Sequence, residues 1–281
     1  MPDLQQSVID AFRSIVSRDE GQINLALGAL TIARSEYPAL RVQDYLDRLD
    51  EMAIGASSCL PLESPCTVKS IEAFNRFIFK EQGFKGNADN YYDPRNSYLN
   101  DVLDRKTGIP ITLSLVYMEI ARRIGLDIVG VGLPGHFLVK LDDPFDEMLI
   151  DPYHAGTLMT VEDCRSRWAE MSSGSSEFQR AFLQPVSKKQ ILFRMLNNLK
   201  HIFSSTGVAE KSLAVIELML VISPEDATEI RNLSFMHLQL KHYRKASAGF
   251  RRYLALDPEA PDREQVLSWL YSAENGMALM N

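Results

Sequence analysis

Two residues of this chain, His136 and Asp151, have the types and placement needed for acid–base chemistry. A helix predicted over 110–124 rises about 1.5 Å per residue, roughly 21 Å in all. A strand over 126–133 then travels roughly 23–26 Å back. Pro134-Gly135-His136 therefore returns to the level of the helix N-terminus. Next, FLVKL (137–141) and EMLI (147–150) flank the turn residues DDPFD, which predicts a β-hairpin. His136 and Asp151 are equidistant from its midpoint between Asp143 and Pro144, so a regular antiparallel register sets them opposite each other. An imidazole oriented by a carboxylate beside a helix N-terminus is a layout that activates a thiol or hydroxyl nucleophile.

The nucleophile itself is the open question. Thr112 and Ser114 are nearest in sequence, and Thr112 lies on the polar stripe of the predicted helix. Its alternative use is a hydroxyl bond to the helix backbone. Cys59 and Cys66 fall in a loop predicted over 56–66, where they are either available thiols or small packed residues. Cys164 falls inside a predicted helix. His136, Asp151 and His154 also offer two imidazoles and a carboxylate, a possible metal set. Neither an HExxH motif nor a fourth ligand accompanies them. The structural alternative is a His136–Asp151 hydrogen bond with His154 exposed in a turn. The site is therefore assigned His136, Asp151 and Thr112 as catalytic candidates, with no metal and no cofactor. Tyr92, Arg95 and Asn96, in the Gly/Asn/Asp-rich loop 85–98 beside Tyr91, are binding candidates together with Pro110 at the helix start.

The elements that must position these residues follow from periodicity and punctuation. Helical spacing of apolar residues marks segments beginning at Leu4, Ile23, Leu40 and Val68, the third ending at Gly55. Pro110 occupies a favoured first-turn position and Gly125 a C-terminal one. Nearly every position between them is apolar, which predicts a buried central helix with Glu119 able to reach Arg122 or Arg123. The β-branched run LDIVGVGL reads as a strand. Thr160-Val161-Glu162-Asp163 has capping-box form and opens another helix, and SSGSS (172–176) reads as a surface loop. Beyond residue 187 the chain is helical. Pro224 and Pro258 lie 34 residues apart, the tetratricopeptide period. Leu233, Ala246 and Phe250 fall at the matching offsets in the second unit, and Leu199, Ser212 and Ile216 in the first. Residues 263–280 read as a capping helix.

Three stretches, YYDPRNSYLNDVLDRKTGIPITLSLVYMEIARRIGL, GVGLPGHFLVKL and LIDPYHAG, occur in an order that resembles the transglutaminase-like (papain-related) superfamily. The chain as a whole resembles the bacterial SirB family, which joins such a domain to tetratricopeptide repeats. The resemblance implies an α+β fold, mostly helical. Its core is a central helix packed on a small antiparallel sheet, and a repeat-type helical domain follows. It also implies a cysteine nucleophile near the start of the central helix in catalytic members. Counting back from Gly125-Leu126 puts Pro110 there. Proline carries no nucleophile, so only His136 and Asp151 carry over, and the family itself implies no known reaction.

Composition sets the remaining bounds. The 281 residues are 46% hydrophobic and carry a net charge of −7, which argues for ordinary globular domains and against general nucleic-acid binding. The charge divides unevenly, with 18 basic and 27 acidic residues over 1–187 against 12 and 10 over 188–281. Two domains are expected at that boundary. No apolar run reaches the roughly 18 residues of a membrane span, and the N-terminal residues lack the pattern of a secretory signal. Three cysteines without paired spacing suggest a reducing cytoplasm. The expected function is a non-catalytic interaction or regulatory protein, taking a protein or peptide partner in the repeat groove and neither nucleic acid nor membrane. The alternatives are a hydrolase or acyl transferase using His136 and Asp151, and a metal-dependent enzyme.

Overall fold

The computed structural model describes residues 4–60, 68–142, 148–172 and 177–279. The chain is α+β and mostly helical, and it divides into two compact units, residues 19–195 and residues 1–18 with 196–281. This division differs from the one expected at residue 187. The first helix, α1 (Leu4–Val16), groups with the C-terminal helices. Its Gln5 amide donates to the Ala214 carbonyl at 3.1 Å and to the Glu217 carboxylate at 3.2 Å. Periodicity identified its buried face, Val8, Phe12, Ile15 and Val16. The partner of that face lies some 200 residues away, where periodicity carries no information.

The larger unit begins with α2 (Leu25–Ala33), whose Asn24 side chain caps the Leu27 amide at 2.9 Å. Next comes α3 (Val42–Cys59), which does not stop at Gly55 as expected. A Cβ at Gly55 would lie 3.0 Å from the Phe77 ring, so this glycine permits close packing inside a continuing helix. Cys59 thus sits on the last turn of α3 and not in a loop. Following α4 (Val68–Asn75), a wider turn over Arg76–Glu81 carries the bond from the Gln82 amide to the Phe77 carbonyl, five residues back.

Two-residue strands β1 (Lys85–Gly86) and β2 (Thr107–Gly108) pair in parallel and clamp the ends of the segment containing α5 (Leu99–Arg105). That helix is too short, at seven residues, for apolar periodicity to mark it. The predicted central helix, α6 (Pro110–Arg123), is buried from Pro110 through Ala121. Gly125 follows it with φ of 76°, the left-handed conformation expected after a helix end. Glu119 is buried and pairs with both Arg122 and Arg123, at 3.1 and 2.5 Å.

Among the described residues of this unit, an antiparallel sheet runs in the order β3 (Ile128–Val131), β4 (Leu138–Leu141), β5 (Leu149–Asp151) and β6 (Thr157–Met159). The pairing of Val139 with Ile150 places Asp151 opposite the first residue of β4, not opposite His136. The expected register is therefore two residues out. A shift of two keeps every side chain on its own face of the sheet, which is why His136 and Asp151 still meet. The hairpin tip at 143–147, including Asp143 and Pro144, lies outside the described residues. The helix α7 (Val161–Ser172) opens with the predicted reciprocal bonds between Thr160 and Asp163.

Five helices follow among the described residues: α8 (Lys188–Ser205), α9 (Ala209–Ile222), α10 (Ala227–Gln239), α11 (Tyr243–Leu256) and α12 (Arg263–Ala278). Both α9 and α11 span 14 residues, and their starts are separated by the 34-residue period. Ser212 and Ala246, one period apart, are both fully buried, as are Ile216 and Phe250 to within 1%. Small and large residues recur in phase because each repeat packs its neighbour in the same way.

Candidate functional site

Four consecutive residues deliver His136. Pro134 and Gly135 form the centre of a tight turn closed by the His136 amide on the Leu133 carbonyl at 2.9 Å, and Gly135 supplies the required positive φ of 71°. Arg194, on α8, holds this turn from outside. Its guanidinium donates to the His136 carbonyl at 2.9 Å and the Leu133 carbonyl at 3.3 Å, and it lies over the Phe137 ring. A Cβ at Gly132 would come within 2.5 Å of that guanidinium, so glycine clears its path.

Asp151 ends β5 and faces the turn. Its Oδ1 accepts from the Tyr153 and His154 amides at 3.0 and 3.3 Å, fixing the carboxylate. Its Oδ2 is shared by three donors: His136 Nε2 at 2.7 Å, His154 Nδ1 at 2.7 Å and the Arg167 guanidinium at 3.1 Å. Asp151 is 1% exposed. Such burial raises a carboxyl pKa, but the bonds and charges of His136 and His154 outweigh it and hold the group at about 2. His136 is itself buried, whereas the His154 side chain is 49% exposed. The Tyr153 ring packs edge-on against both imidazoles and against Tyr91. A cavity of about 330 Å³ opens beside His136, lined by Leu133, Pro134, Arg167, Trp168, Glu170 and Met171.

The other sequence candidates are placed differently. Thr112 is completely buried. Its hydroxyl donates to the Asn96 carbonyl at 2.7 Å and accepts from the Ile109 amide at 3.1 Å, capping α6. The Ser114 hydroxyl is also buried and faces the Phe137 carbonyl at 3.5 Å. Asn96 is an internal brace. Its amide donates to the Asn90 and Tyr91 carbonyls, and its carbonyl oxygen accepts from Asn87. Arg95 turns back onto the buried Asp93 carboxylate at 2.8 Å, and Tyr92 is 75% exposed. Pro110 is buried in the first turn of α6. Cys59 is exposed, with its thiol 4.0 Å from Glu81. Cys164 is buried, and that burial pushes its thiol up to about 11. Cys66 lies outside the described residues.

Among the described residues, the hydrogen bond of the His136 ring is the one to Asp151, so neither a hydroxyl nor a thiol stands within bonding reach of it. Sequence reasoning joined His136 to Asp151. It missed Arg167, Arg194 and Tyr153, which reach the site from helices or turns whose packing direction no local pattern encodes.

Comparison with known proteins agrees with this architecture. The profile of the transglutaminase-like superfamily matches residues 43–197, more than half of the chain, and a tetratricopeptide repeat profile matches residues 199–270. A UPF0162 protein of Xylella fastidiosa is 33% identical over 97% of this chain and 98% of its own length. The UPF0162 protein PA3419 of Pseudomonas aeruginosa is 32% identical over 75% and 77%. Mouse F-box only protein 21 is 27% identical over 76% of this chain and 33% of its own length. The chain thus belongs to the transglutaminase-like superfamily and, more narrowly, to the UPF0162 family.

Proposed function

We propose that this protein is a non-catalytic interaction or regulatory protein of SirB type. In this reading a transglutaminase-like domain without its nucleophile is joined to a tetratricopeptide groove that takes a protein or peptide. One observation supports it above others: no hydroxyl or thiol among the described residues bonds the His136 ring. Two further features agree. Pro110 stands where the superfamily resemblance calls for cysteine, and the Thr112 hydroxyl is committed to backbone groups. His136 and Asp151 then act as a structural latch. The repeat unit supplies the binding surface, a cavity of about 1000 Å³ lined by Phe203, Ile216, Phe235 and Trp269 together with Asn197 and Gln239. Among the described residues no helix is long and apolar enough to cross a membrane. The cysteine pattern supports a cytoplasmic setting.

The test pairs a binding assay with a reactivity assay. Peptides selected on the purified full chain should lose binding in a Trp269→Ala variant. A panel of ester, amide and thioester substrates should show no turnover. Turnover by the native chain that disappears in His136→Ala would overturn the reading.

A further inference from the structure

The sequence offers His136, Asp151 and His154 as an alternative metal set without a supporting motif, and folding brings one ligand atom of each together. These atoms all lie within 4.8 Å of one another. Two imidazoles and one carboxylate suit a borderline divalent transition ion such as zinc better than calcium or magnesium, which favour oxygen. We propose that His136, Asp151 and His154 form a binding site for a divalent transition-metal ion.

The geometry is that of a site held closed by hydrogen bonds. Both nitrogen–oxygen distances are 2.7 Å. Zinc bonds of about 2.0–2.1 Å at tetrahedral angles require ligand separations of roughly 3.3–3.4 Å, so each edge must open by about 0.6 Å. His154 can open its own edge, because it is half exposed on a short turn, whereas the edge to His136 opens only if the His136 ring shifts within its own turn. Asp151 is already oriented from behind by two backbone amides on its other oxygen, the outer support that metal-binding carboxylates use. Coordination through His136 Nε2 places that ring's proton on Nδ1, which has no hydrogen-bond partner among the described residues. The exposed side of His154 leaves the remaining coordination position to water.

Arg167 opposes the ion. Its guanidinium holds Asp151 Oδ2 at 3.1 Å, and its side chain is 36% exposed and able to swing out. A cation entering the site must displace it from that oxygen. Arg167 therefore weakens metal binding and sets it against the empty, latched arrangement. This inference does not depend on the non-catalytic reading above, since a site of this kind can bind an ion whether or not the domain turns over a substrate.

The experiment titrates the full chain with Co²⁺, whose visible bands report nitrogen and oxygen coordination, and with Zn²⁺ in competition. One equivalent of Co²⁺ should develop tetrahedral or five-coordinate bands that Zn²⁺ bleaches. His154→Ala should weaken uptake by at least the roughly 10–100-fold that loss of a mere outer partner costs. Arg167→Ala should tighten it, an effect a purely structural cluster does not produce. Replacing all three cysteines by serine should leave the bands unchanged. Absence of bands in the native chain overturns the proposal. So do bands that survive His154→Ala in a protein of unaltered thermal melt, bands lost with the cysteines, and Arg167→Ala binding no tighter than the native chain.

Discussion

His136 Nε2 and His154 Nδ1 share a single oxygen of Asp151, each at 2.7 Å, although one ring is buried and the other half exposed. Two imidazoles and Arg167 thus converge on one buried anion. Replacing the carboxylate by an amide removes the charge and one acceptor oxygen while the three donors remain. Asp151→Asn should lower stability by about 3 kcal/mol, the cost of breaking a buried ion pair from one side. Urea unfolding at neutral pH measures it, and a loss within experimental error would show that the cluster contributes nothing to the fold.

The same carboxyl sets an acid limb. Its folded pKa of about 2 lies below the usual value near 3.8. A carboxyl depressed on folding stabilises the native state above its unfolded pKa and loses that contribution as pH falls through the folded one. Native stability should therefore decline between about pH 4 and pH 2 through this group. In Asp151→Asn the decline over that window should be shallower, as read from urea midpoints at stepped pH.

The Thr112 hydroxyl joins the loop carrying Asn96 to the start of α6. Thr112→Val keeps the shape but loses both the cap and the loop contact, which together are worth about 1–2 kcal/mol. Thr112→Ser should recover most of this. Partner binding, measured with the peptides selected above, should be unchanged in both variants at temperatures where they are folded.

Arg194 is the brace of the His136 turn. Arg194→Met fills similar space but takes the guanidinium from the His136 carbonyl, while the Leu133 carbonyl keeps the His136 amide. A loss of about 1–3 kcal/mol is expected for a group left unsatisfied in this way. Hydrogen exchange should accelerate at the amides of residues 133–137 before it does elsewhere, and uniform protection would contradict the assigned role.

Thiol chemistry separates the cysteines. Cys59 should react with a maleimide in the native protein at a rate unaffected by His136→Ala, because its neighbours are Gly55 and Glu81. Cys164 should react only on unfolding, since burial raises its thiol to about 11. Mass spectrometry of labelled peptides distinguishes the two.

Much of this was legible in the chain itself. Pro110, the apolar run after it and Gly125 dictated the buried central helix, because those residues fix backbone angles and burial locally. The β-branched run dictated a strand, and the 34-residue period dictated repeated helix pairs. Even His136 and Asp151 could be paired from strand counting, since a register error of two preserves the face on which side chains lie. Gly55 misled, because a glycine that ends a helix and one that admits a neighbour's ring look alike in sequence. The position of α1 among the repeat helices, the reach of Arg167 to Asp151, and the hold of Arg194 on the His136 turn came only from tertiary structure. Each depends on the direction in which one element packs against another, and that direction is set by the whole core and not by the neighbouring residues.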